Sequence, residues 1–84
     1  MRKIGDKYQT SGDITKLDGT PIPEDEPLIL FRAKDNLLVE LLEHYNELSR
    51  KAGSPEEQIN SLTNSIDEVK LWQANHQDRL KVPD

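Results

Sequence analysis

The chain has no cysteine, so neither a disulfide framework nor a thiolate metal site can stabilise its 84 residues. It also lacks a long apolar run: the longest ones, at residues 28–31 and 37–39, are far shorter than a membrane span. The first residues carry charge but no apolar stretch of the kind found in signal peptides. By elimination, we expect a cytoplasmic protein with no membrane partner.

Positive charge is outnumbered by negative charge. Lys and Arg number 11 against 16 Asp and Glu, which gives a net charge of −5. Nucleic-acid affinity depends on cationic side chains that neutralise phosphates, and neither of the helices predicted below has a basic face. We therefore expect no nucleic-acid partner.

Motifs for catalysis and metal binding are missing. There is no Cys nucleophile and no Gly-x-Ser-x-Gly motif, and the isolated glycines cannot form a phosphate-binding loop. Glu40 and His44 are one helical turn apart, but such pairs are common, and we interpret this one as part of an exposed charged face. The sequence predicts a non-enzymatic protein with no metal and no cofactor.

The N-terminal third is rich in Gly, Pro, Asp and Thr, which argues against a helix over residues 1–27. The Asp18-Gly19 turn signal predicts a short strand just before it, near residues 14–17. The alternative is a mobile arm. Residues 28–33 follow a proline and begin with four apolar residues, which favours a buried strand over an N-terminal extension of the next helix.

A first helix is predicted over residues 35–52, with Asp35 as its N-cap and Gly53 just after its end. Glu47 and Lys51, four residues apart, predict a surface ion pair on it. One side of this helix is apolar over an arc of roughly 140°. The residues of that arc are Leu37, Leu38, Leu41, Leu42, Tyr45 and Leu48.

A second helix is predicted over residues 55–75. Its start carries the capping-box sequence Ser54-Pro55-Glu56-Glu57. Its apolar seam consists of Ile59, Leu62, Ile66 and Val69. Because the linker between the two helices is short, they should form an antiparallel pair, followed by a surface tail over residues 76–84.

These elements predict an α+β fold in one small domain, residues 1–84. A short N-terminal β-element would pack on the antiparallel two-helix hairpin. The alternative is an all-α hairpin with a disordered N-terminal arm.

The apolar face of the first helix is wider than one partner helix can cover, so part of it should remain as a binding surface. Small domains are often completed by oligomerisation, and we therefore expect self-association. The predicted interface residues are Leu38, Leu42, Leu71 and Trp72. The main functional hypothesis is a non-enzymatic binding protein that engages a protein partner through this apolar helical surface.

A second hypothesis starts from Arg32 and Lys34, which precede the N-terminus of the first helix. Cationic side chains and free helix amides together favour an anion. The alternative function is therefore an oligomeric sponge that sequesters an anionic, nucleotide-like small molecule. A competing interpretation is that Arg32 forms an ion pair with a nearby carboxylate.

The segment over residues 19–35 reads Gly-Thr-Pro-Ile-Pro-Glu-Asp-Glu-Pro-Leu-Ile-Leu-Phe-Arg-Ala-Lys-Asp. It resembles a segment of short, uncharacterised bacterial and bacteriophage proteins, and the similarity extends loosely to Trp72-Gln73-Ala74. The resemblance covers about a fifth of the chain. It implies no activity and no functional residue, but it implies a phage or prophage setting, in which a host protein is one candidate for the protein partner.

Overall fold

The computed structural model of the chain describes residues 2–82. The chain separates into two compact units, Met1–Leu30 and Phe31–Asp84. Among residues 2–82, two strands lie in the first unit, and two α-helices and a short 3-10 helix lie in the second. The α+β fold class is therefore confirmed.

The first unit contains a small antiparallel hairpin of β1 (Arg2–Ile4) and β2 (Tyr8–Thr10), in which Ile4 pairs with Tyr8. Its turn contains Gly5, whose φ of 61° is a conformation that glycine adopts without strain. The Gly5 amide donates to the Leu28 carbonyl at 2.7 Å, which fixes the end of this unit against the turn of the hairpin. Strands of three residues carry too little periodicity to be recognised in the sequence.

The strand predicted near residues 14–17 is reduced to a single bridge between Thr15 and Pro21. Between them the chain makes the expected tight turn, in which Lys16 and Thr20 are joined by a backbone hydrogen bond of 2.8 Å. Gly19 has a φ of 93° in this turn. The turn signal was thus interpreted correctly, but the strand assigned before it was wrong.

The predicted strand over residues 28–33 does not form, and these residues adopt neither helix nor strand. β1 and β2 form a two-stranded sheet, and residues 28–33 do not join it as a third strand. Within this stretch, Ile29 and Phe31 are exposed, and the boundary between the two units falls between them. The apolar run is therefore a connection and not a buried strand.

In the second unit, α1 (Leu38–Lys51) begins later than predicted. Asp35 does not cap the helix itself; its Oδ1 accepts from the Leu37 amide at 2.8 Å, and its carbonyl accepts from the Leu38 amide at 3.1 Å. It thus closes the turn that leads into α1. At the other end, Gly53 has a φ of 81°, as its position after the helix predicts.

The second long helix, α2 (Glu56–Asn75), starts without the predicted capping box. Pro55, with φ −58° and ψ 148°, occupies the N-cap position, and no side chain caps the helix. The Ser54 amide instead donates to the Ser49 carbonyl at 3.0 Å, and the Gly53 amide donates to the Arg50 carbonyl at 3.1 Å. This pair of bonds is the Schellman motif that ends α1, and it draws Ser54 away from the capping position.

The two helices pack together as an antiparallel hairpin, as predicted. Asn46 is hydrogen-bonded to Thr63, and the Glu43 carboxylate lies 3.7 Å from the Lys70 ammonium, so that earlier residues of α1 face later residues of α2. The buried residues of this seam are Leu38, Asn46, Ser49, Ile59 and Ile66. Leu62 and Val69 are half-buried beside them, which confirms the predicted seam of α2.

The tail, predicted to extend along the surface, instead returns to the start of α1. After the 3-10 helix η1 (Gln77–Arg79), the Lys81 amide donates to the Lys34 carbonyl at 3.0 Å, and the Lys81 carbonyl accepts from Asn36 at 3.1 Å. Gln73 of α2 adds side-chain hydrogen bonds to the carbonyls of Ala33 and Asp35. The entry into α1 is therefore held from two sides. No helix among residues 2–82 combines the length and the apolar character that crossing a membrane requires.

Candidate functional site

The most distinctive surface of the helical unit is a row of apolar side chains that begins at the N-cap residue of α1, continues along the helix and does not face α2. We call this row the outer face, and it consists of Leu37, Leu41, Tyr45 and Leu48. At about 100° per residue they cover an arc of roughly 80°. Each of these side chains is about half exposed, and Tyr45 is the most exposed at 55%.

The outer face exists because polar residues occupy the seam of α1. Leu38 and Leu42 face α2 through the first turns of the helix, but the next two seam positions are Asn46 and Ser49, which are both buried. The seam lies roughly 100° around the helix from the outer face. The apolar arc read from the sequence is thus divided between the two faces, and polar side chains complete the seam.

The four predicted interface residues do not form one surface. Leu38 is only 4% exposed and belongs to the hairpin core, so its assignment to an exposed interface was wrong. Leu42 is half-buried in the same seam. Leu71 is 65% exposed, but it lies roughly 120–140° around α2 from the buried residues Ile59 and Ile66.

Trp72, the fourth predicted interface residue, is half-buried and forms contacts within the chain. Its ring stacks on His76 with centroids 4.3 Å apart, and the Arg79 guanidinium carbon lies 4.9 Å from the centre of the indole. The Nδ1 atom of His76 also lies 2.7 Å from the Trp72 carbonyl oxygen. These contacts hold the end of α2 and η1 together, so Trp72 has a structural role within the chain.

A row of charged and polar side chains runs along one border of the outer face. We call it the rim, and it consists of Glu40, His44, Glu47 and Lys51, all exposed. The Lys51 ammonium lies 3.5 Å from a Glu47 carboxylate oxygen, which confirms the ion pair predicted from their spacing. The outer face is therefore bordered by charge on the side away from α2.

The predicted anion site at Arg32 and Lys34 is not favoured by the geometry. The Leu37 amide, which an anion would need, is already bonded to the Asp35 carboxylate. A fixed negative charge at this point repels a second one. Within residues 2–82 Arg32 makes no ion pair, so the competing interpretation of a paired Arg32 is not supported either.

The first unit has an open hollow beside Arg2 and Ile14, but its arginine is committed elsewhere. The Arg2 guanidinium donates to the carbonyls of Ile22, Pro23 and Glu26 at 2.8–3.2 Å. These bonds tie the proline-rich segment to β1. Lys3 also lines the hollow, and its ammonium lies 3.1 Å from an Asp6 carboxylate oxygen. Among residues 2–82, no group of three or more His, Asp or Glu side chains is arranged to hold a metal ion.

Electrostatics single out one carboxyl group of the first unit. The pKa of Asp18 is lowered, chiefly because the Thr20 amide donates to its Oδ1 at 2.9 Å, with a further contribution from the Thr20 side chain. Asp18 is fully exposed in the turn before Gly19. The shift is explained by turn geometry and does not indicate a catalytic site.

No protein-family model, curated protein or solved structure matches this chain. The resemblance of residues 19–35 to phage and bacterial segments stays a prediction.

Proposed function

We propose that the chain is a non-enzymatic binding protein and that the outer face of α1 is the surface with which it engages another protein. The observation that carries this proposal is the unequal use of side chains around α1. Leu41, Tyr45 and Leu48 are exposed, whereas Asn46 and Ser49 are buried. A helix that served only its own hairpin would gain stability from the opposite arrangement.

The spacing of the outer face suits recognition of a helix or a groove. Its residues recur at intervals of four, four and three, which keeps them in one row along three turns. Helices that dock into apolar grooves use anchors with this kind of spacing. Burying the exposed half of each of four large side chains contributes on the order of 1 kcal/mol per side chain.

The setting that we propose for this binding is the cytoplasm. The resemblance of residues 19–35 favours a phage or prophage source, in which a host protein is one class of partner. The outer face of α1 supports a binding role whichever setting applies.

A photoreactive side chain at the outer face tests the proposal even while the partner is unidentified. Benzoylphenylalanine in place of Tyr45 should form a covalent adduct of higher mass when the chain is irradiated in the cells that produce it. The matched control is the same group in place of Leu71, which is apolar, exposed and remote from the outer face.

Adducts at position 45 and few at position 71 are the expected result. Equal yields at both positions would mean non-specific contact, and the absence of adducts at position 45 would contradict a binding role for this face.

A further inference from the structure

We infer that the outer face pairs with the outer face of a second copy of this chain, with the two α1 helices antiparallel around a two-fold axis beside Tyr45. This inference rests on the proposed function and names the partner of that same surface. Two independent patterns on α1, one charged and one apolar, lead to axes that lie within one residue of each other.

The charged pattern is the rim. In an antiparallel helix pair, the rim of one helix lies beside the same rim of the other, running in the reverse direction. An axis between residues 45 and 46 then places Glu40 opposite Lys51 of the second copy, and His44 opposite Glu47 of the second copy. In each of these pairs a carboxylate of one copy would face a cation or a hydrogen-bond donor of the other, and each pair would occur on both sides of the axis.

The apolar pattern gives nearly the same register. An axis at Tyr45 stacks this residue against its own copy and brings Leu41 within one residue of the position opposite Leu48 of the second copy. Apolar side chains would then fill the centre of the pair, and Glu40 and Lys51 would border it at each end. A two-fold interface must be self-complementary in this way, because each patch meets a copy of itself.

A parallel pair of α1 helices would not bring the charged residues of the two rims together. In a parallel pair each rim faces the opposite border of the partner helix, which on α1 is the border toward α2. That border carries Leu38 and Ser49, which are buried against α2 and offer no charge to the rim. The antiparallel pair also opposes the two helix dipoles and sets Glu40, in the first turn of α1, near Lys51, in the last.

The pairing of single helix faces buries little area for a specific interface, so the dimer should be weak and concentration-dependent. Sedimentation equilibrium of the full chain over a wide concentration range should show reversible monomer–dimer exchange. Leu48→Glu should abolish the dimer, and Leu71→Glu, the matched change on the far side of α2, should leave it intact.

Cysteine scanning tests the direction of pairing, since the chain has no cysteine of its own. We expect a mixture of Leu41→Cys and Leu48→Cys chains, one of them isotope-labelled, to form the mixed disulfide under mild oxidation. A parallel pair would instead link each variant to itself. An Arg50→Cys chain, altered on the side of α1 away from the outer face, is the control and should stay unlinked.

A charge swap tests the rim. Glu40→Lys should weaken the dimer roughly tenfold, since two symmetric pairs become repulsive. Combining it with Lys51→Glu should restore most of that loss. Glu68→Lys, on the exposed side of α2, changes the net charge equally and should have little effect, while circular dichroism checks that α1 remains folded in each variant.

The outcomes separate this inference from the proposed function. Self-linked Leu41→Cys chains, or a charge swap that fails to rescue the dimer, would overturn the antiparallel pairing and leave binding through the outer face intact. A chain that stays monomeric but forms adducts with another protein at position 45 would overturn self-pairing alone. A monomer without adducts at that position would overturn both.

Discussion

Asn46 of α1 donates a hydrogen bond from its Nδ2 to the Thr63 hydroxyl of α2 at 3.0 Å, across the centre of the helical seam. The Thr63 hydroxyl in turn donates to the Ile59 carbonyl at 2.9 Å. The Asn46 Oδ1 is buried and has no partner among the described residues. A buried amide of this kind costs stability but can fix how two helices align, because only one register lets it make its bond.

Thr63→Val should destabilise the helical unit by about 1–3 kcal/mol, since it leaves the buried Asn46 amide without its acceptor. Adding Asn46→Val should recover part of that loss, because the unpaired polar group is then removed. Urea unfolding of both single variants and the double variant measures the coupling. Strictly additive changes in the free energy of unfolding would mean that the Asn46–Thr63 hydrogen bond does not couple the two residues.

The two faces of α1 should respond differently to the same substitution. Leu38→Ala empties a buried position and should destabilise by about 2–5 kcal/mol. Leu48→Ala, at a residue that is 50% exposed, should cost about 1 kcal/mol or less in the monomer. Thermal unfolding at low concentration, where association is negligible, compares the two. Similar losses would mean that the outer face is covered within the monomer.

The linker between the helices offers a second matched pair. Gly53→Ala should destabilise by about 1 kcal/mol, because an alanine at a φ of 81° is strained although no neighbouring atom obstructs its Cβ. Ser54→Ala should change stability by about 0.5 kcal/mol or less, since the Ser54 side chain caps no helix. A larger loss of stability for Ser54→Ala would support the capping box that the sequence predicted.

The stability of the turn around Asp18 should depend on pH. Because its pKa in the folded chain is lowered from the ordinary value of 3.8, the charged carboxylate stabilises the turn above that value, and this contribution is lost as the pH falls through the lower folded pKa. A carboxyl-carbon NMR titration should place the midpoint of Asp18 below its midpoint in urea. Thr20→Ala should raise it only partly, since the backbone amide is the larger cause.

Local chemistry in the sequence was sufficient wherever neighbouring residues decide the structure. The position of Gly53, the ion pair of Glu47 with Lys51, and the seam of α2 were all predicted, because each depends on spacing within a single helix or turn. The antiparallel hairpin followed from the short linker between the helices. A chain with this composition could also be recognised as small and acidic without any coordinates.

Only the tertiary structure decided which side of α1 meets α2. The sequence offered a broad apolar arc, and the most apolar choice would have placed Leu41, Tyr45 and Leu48 inside. The seam instead contains Asn46 and Ser49, because the position of a residue in a helix pair depends on the side chains opposite it, and here Thr63 supplies a partner for Asn46. Contacts between residues distant in sequence likewise returned the tail to the start of α1, where Lys81 bonds to Lys34 and Asn36.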